Sequence, residues 1–174
     1  MNLRLLTKTI IVGLVALTLS FVGCNNQPQT HASKIDNLKK QLLADAHTLH
    51  RIETNDFVSV ERDFRLCDSM LQYQSAELVE QSFDKLQLVQ AYIQQFKVNQ
   101  PVMHAEIDCT LMQLDRLKAD AEVHYPSDSL VAVYIESETE YVNKLSNQIH
   151  YFEDRFGTCQ QDLNTLKKQQ RASR

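Results

Sequence analysis

Glycine is what this sequence has least of. Three glycines occur in 174 residues, and two of them, Gly13 and Gly23, fall within the first 23 positions. From Cys24 onward Gly157 stands alone, beside three prolines (Pro28, Pro101, Pro126) and no tryptophan. Hairpin turns and phosphate-cradling loops place residues at positive φ, a conformation that is costly for anything but glycine. A strand-rich fold and a Gly-rich nucleotide loop are therefore not expected. A strong excess of one charge is missing too, with 18 Lys and Arg against 22 Asp and Glu. The chain has no basic footprint of the kind nucleic acid selects, so no nucleic-acid partner is expected. Its one cationic cluster, Lys167, Lys168, Arg171 and Arg174, suits a helix C-terminus, where positive charge offsets the macrodipole. Also lacking are a Cys-x-x-Cys pair, the Glu-x-x-His of di-metal bundles and any nucleophile, base and orienter set. The chain reads as a non-enzyme with no cofactor and no catalytic residue.

What is present begins with an export pattern. Arg4 and Lys8 precede an apolar run from Ile10 to Val22, broken only by Gly13, Thr18 and Ser20. That is a cationic n-region and an h-region too short to span a bilayer. Phe21-Val22-Gly23-Cys24 closes it. This segment resembles the lipobox of bacterial lipoproteins, which reads Leu, a small or β-branched residue, Gly or Ala, then Cys; Phe21 stands where Leu is usual. The resemblance covers only the first residues, and it concerns processing. It implies cleavage after Gly23, a diacylglyceryl group on the Cys24 sulfur and acylation of the freed amine. Each buried methylene contributes about 0.8 kcal/mol and one chain anchors only marginally, so two or three chains hold a protein at the cell membrane. Asn25 follows Cys24 where Asp would mark inner-membrane retention, which implies the outer membrane. No acidic run follows, which favours the periplasmic face. Residues 24–32 are polar, contain Pro28 and lack periodicity, so they read as a flexible tether.

The remainder, 33–174, reads as one all-α domain. Loss of residues 1–23 removes two cations and no acid, leaving 16 Lys and Arg against 22 acids, a net charge of −6. Ser33 serves as an N-cap, and Ile35, Leu38, Leu42, Ala46, Leu49 and Ile52 follow at spacings of three and four. That helix is expected to end near Thr54 and Asn55. Asn55 or Asp56 then caps a second, with the stripe Phe57, Val60, Phe64, Cys67 and Leu71. A third run holds Val79, Phe83, Leu86, Val89, Ile93 and Phe96, and an alternative ridge passes through 71, 75, 78, 82, 86 and 89. Whether 57–98 is one helix or two stays open, with one long helix and an irregularity near Gln72 to Ser75 preferred. Pro101 is placed to break one helix and open the next. Beyond it, Met103, Ile107, Leu111 and Leu114 share a helix with a second stripe, Val102, Ala105, Cys109 and Met112, which predicts burial on two sides.

After the Tyr125-Pro126 breaker the pattern is most regular. Ile135, Glu138, Val142, Leu145, Ile149, Phe152, Phe156, Cys159, Leu163 and Leu166 alternate by three and four. A helix of that extent would run about 60 Å at 1.5 Å per residue. The expected architecture is an elongated helical bundle or antiparallel coiled coil of four to five helices.

Several residues invite a functional reading, each beside a plainer one. Cys67 and Cys159 occupy seam positions and form the first candidate disulfide, although three cysteines after Cys24 leave one over. His47 and His50 stand three apart, but nothing completes a metal site, and solvated histidines explain them. His150 and Asp154 read as a surface pair. Asp45 and Glu138 interrupt apolar seams; they could line an acidic pocket for a cation, but fixing register or meeting a basic partner is preferred. Tyr134, Tyr141 and Tyr151 flank the last seam and suit either an interface or packing. The function these features favour is a membrane-anchored, non-catalytic structural or protein-interaction module of the cell envelope. Its partner would be another envelope protein or itself, met along the Ile135–Leu166 seam. The alternative is a helical carrier of a small apolar or cationic ligand near the membrane.

Overall fold

The three-and-four spacing becomes helix throughout the part of the chain described by a computed structural model, residues 30–123 and 127–172. Among these residues there is no strand. The all-α class holds, but the helices gather into three arms rather than four or five separate rods. The export segment, Gly23, Cys24 and the tether up to residue 29 lie outside the described residues.

The first arm comprises α1 (His31–Arg51), a π-helical segment (Ile52–Phe57) and α2 (Val58–Leu71). Helix begins at His31, two residues before the expected cap at Ser33. The expected break at Asn55 and Asp56 does not occur either. Arg51 and Val58, on either side of the π segment, both keep right-handed helical angles, φ −64, ψ −42 and φ −60, ψ −40. The cause is legible in the spacing: Ile52 and Phe57 are five apart, one residue more than an α-helical stripe permits. A π turn takes up one extra residue without ending the helix, which returns Val60 and Cys67 to the buried side.

The preferred long helix across Gln72 to Ser75 is overturned. The chain turns there, with Tyr73 N donating to Met70 O at 3.2 Å and Gln74 N to Leu71 O at 3.1 Å. Ser75 is extended (ψ 151) and its hydroxyl accepts from Leu78 N at 3.4 Å, capping α3, Ala76–Glu122. Of the two ridges, the one through Ser82 faces the core. Ser82 is buried because its hydroxyl donates to Leu78 O at 2.7 Å, while Phe83 is half exposed. Pro101 lies inside α3 and does not break it. It faces solvent, so the hydrogen bond its missing N–H cannot make is forfeited where water can substitute. The third arm is α4, Asp128–Ala172, which passes through Gly157 without interruption.

Cross-links set the directions. Asp36 with Lys118 and Glu61 with Lys97 (2.7 Å each) run the first arm antiparallel to α3. Asn99 with Gln148 (3.4 Å) and Lys85 with Asp162 (3.6 Å) run α3 antiparallel to α4. Asp45 with Ser146 (3.2 Å) and Asp63 with Lys167 (2.8 Å) run the first arm parallel to α4. The order is up, down, up. Down the centre lie Leu42, Leu49, Ile52, Met103, Leu114, Ile149 and Leu163, all essentially without exposure. Midway, Phe57, Phe96 and Phe156 bring one ring from each arm together, with centroids 5.0 to 5.9 Å apart, and Phe152 sits 5.2 Å from Phe96. Such pairs add about 0.5–1.5 kcal/mol each beyond the area they bury.

Candidate functional site

The α4 seam expected to meet a partner is consumed by the bundle's own core. Every apolar member from Ile135 to Leu166 is buried, and Glu138 is partly so. That seam has no surface left to offer. The polar residues inside the seams do different things from one another. Asp45 is 4% exposed; its Oδ1 accepts from Ser146 and lies 3.7 Å from His150 Nε2, while Oδ2 has no hydrogen-bond partner. Burial raises its carboxyl, and Ser146 and His150 only partly offset this. Glu138 lacks the expected basic partner: its Oε2 is buried without a hydrogen bond, and burial pushes it up.

Sequence reasoning passed over Asp63, on the core side of α2. Its carboxylate accepts from Gln160 Nε2 at 2.7 Å and Lys167 Nζ at 2.8 Å, tying α2 to the end of α4. Lys167 is therefore a cross-arm partner as well as part of the cationic tail. A polar residue at a three-four position, three after Val60 and four before Cys67, is the available signal, masked by Phe64 beside it in the expected stripe.

The two seam thiols are inert by their surroundings. Cys67 and Cys159 are buried and are free thiols, not bonded to each other. Cys67 Sγ donates to Leu163 O at 3.7 Å, and burial pushes the Cys159 thiol up to about 11. A thiol so rarely ionised is a poor nucleophile. Cys109 is exposed. His150 pairs with Glu153 at 2.8 Å rather than with Asp154. His47 is exposed, and His50 stands 3.9 Å from Glu53. No group of three or more His, Cys, Asp or Glu among the described residues could hold a metal ion.

Two surface features remain. An open groove of about 590 Å³ follows the π segment, where Asn55, Asp56 and Ser59 face Glu153, Gly157 and Gln160. Its walls are shared about evenly between polar and apolar surface. The other is the second stripe of α3. Val102, Ala105, Cys109 and Met112, expected between neighbours, are all exposed, and Val98 extends the line by one more position. Only one of α3's two apolar faces finds a place in a three-armed bundle. Beside this strip, Tyr134, Tyr141 and Tyr151 stand partly exposed on α4. No described helix is long and apolar enough to cross a membrane. Comparison with family models, curated proteins and solved structures finds no match for this chain.

Proposed function

We propose that this chain is a lipid-anchored protein of the cell envelope, held at Cys24, whose helical body is a non-catalytic interaction module. The observation that carries the reading is the apolar strip of α3 from Val98 to Met112, left in water while another face of the same helix packs into the core. Contiguous exposed apolar surface of that kind marks a place where another macromolecule sits. The strip takes the role that the buried α4 seam cannot fill. A coiled-coil packing of the arms is part of this reading, supported by the heptad spacing of the buried Leu, Ile and Phe side chains. The export pattern and the Gly23-Cys24 junction supply the location, the outer membrane at its periplasmic face. A ligand carrier would need an enclosed apolar cavity, and the groove along the π segment is open to solvent. Cross-linking in intact membranes of the native host should trap the chain in a proteinaceous complex, with diacylglyceryl mass on Cys24. Recovery solely as an uncross-linked, unlipidated monomer would refute the proposal.

A further inference from the structure

The apolar side chains that α3 leaves in water are ordered. Val98, Val102, Ala105, Cys109 and Met112 repeat at four, three, four, three, the spacing of a helix face that packs on another helix. Val98 is 70% exposed, Val102 49% and Met112 53%. The strip continues onto α4 at Tyr141, whose hydroxyl is pushed up by burial first and then by the adjoining Glu106 and Cys109. Tyr134 stands one heptad earlier, also partly exposed. Together these side chains leave on the order of 500 Å² of apolar and aromatic surface, against about 800 Å² per partner in a standard stable interface.

Charge narrows the choice of occupant. Glu140 and Lys144, one turn apart on α4, line the same surface groove as Tyr141. Asn99 lies level with Gln148, and Glu106 with Tyr141, so Ala105 on α3 stands level with Val142 on α4. Consider a two-fold axis crossing the face at that height, at right angles to the helices. It carries Glu140 of each copy to Lys144 of the other, twice over. It also sets Val98 against Met112, Val102 against Cys109 and Ala105 against itself, placing a small side chain where the two α3 helices cross. A parallel two-fold through the same face would instead lay the α3 strip of each copy on α4 of the other, setting Glu140 and Lys144 against apolar side chains rather than against each other.

We infer that the outer face shared by α3 and α4 is covered by a second copy of this chain, antiparallel and related by that two-fold. The inference rests on the reading of the body as an interaction module, and it names the partner as the chain itself. Sedimentation of the full chain in mild detergent tests it, with helical circular dichroism to verify folding. The wild type is expected at twice the monomer mass. Val102→Glu should weaken association at least tenfold, the equivalent of about 1.4 kcal/mol. Glu140→Lys and Lys144→Glu should each weaken it several-fold, and the double reversal should restore it. A wild type that stays monomeric at micromolar concentration overturns the inference, as does a dimer indifferent to all three single changes. Single reversals that weaken a dimer which the double reversal fails to rescue would also overturn it. A purified monomer that nevertheless cross-links to a different protein in membranes would sink the self-pairing and leave the interaction module intact.

Discussion

Two aspartates on the first arm are buried to almost the same degree and respond to burial in opposite ways. For Asp63, burial alone would raise the carboxyl, but hydrogen bonds from Lys167 and Gln160 outweigh it and hold the group below its ordinary 3.8. A folded value below the unfolded one contributes stability above the ordinary carboxylate range, lost as pH falls through the folded value. Asp45 is the reverse: burial dominates, and its folded value lies above 3.8. Its contribution is favourable below the unfolded value and lost as pH rises through the folded one. Asp63→Asn should therefore cost about 1–3 kcal/mol at neutral pH, and less in acid. Asp45→Asn should gain on the order of 1 kcal/mol at neutral pH, a gain that fades as acid protonates the wild-type carboxyl. Denaturant unfolding at pH 7 and pH 2.5 reads both, and an Asp45→Asn that is less stable at pH 7 would contradict this account. Gly157 is simpler. A Cβ built there meets nothing within 4 Å, so Gly157→Ala should add about 0.5–1 kcal/mol in the same assay.

At the scale of elements, the informative feature is the π segment. It exists because the stripe slips by one residue between Ile52 and Phe57, and both ends of the first arm still bury their apolar sides. Deleting the exposed Asn55 shortens that spacing to four and should convert the segment to ordinary α-helix with the flanking register kept. The deletion variant should keep cooperative thermal unfolding near the wild-type midpoint. Deletion of the exposed Gln94 from α3, which has no slack, should abolish it, because a one-residue shift rotates the remaining stripe by about 100°. Equal damage from both deletions would show that the π turn absorbs nothing. Pro101 tests the same element logic. Having no N–H to give inside α3, it should be replaceable by alanine with a gain of at least about 1 kcal/mol in denaturant unfolding.

For the whole molecule, one cluster joins all three arms. Phe156 packs against Phe57 of the first arm and Phe96 of α3 at 5.9 and 5.0 Å. Phe156→Ala should cost about 3–5 kcal/mol and destabilise the arms together. Amide exchange that accelerated in α4 alone would indicate arms that open separately. The ion pairs along the surface, such as Lys118 with Asp36, orient the arms but hold little energy, since water screens exposed charges.

The amino-acid pattern alone determined the helices, because three-four spacing and scarce glycine act on neighbouring residues. It also marked Ile135 to Leu166 as a single apolar face to be covered, while only the tertiary structure decided that the chain's own arms cover it. The proposed export signal and lipid site at Cys24 rest likewise on local order alone. Tertiary structure decided the rest. The slip at Ile52–Phe57 and the proline at 101 look like breaks to a local rule, and became continuous helix once burial along the whole arm outweighed the local cost. Ser82 displaced Phe83 from the core because its hydroxyl bonds within its own turn while Leu86 and Val89 share its face. Asp63 came inside only because Lys167 and Gln160, about a hundred positions away, arrive to pair with it. Which of α3's two apolar faces would be covered depended on having two other arms rather than three, and no single helix encodes the number of its neighbours.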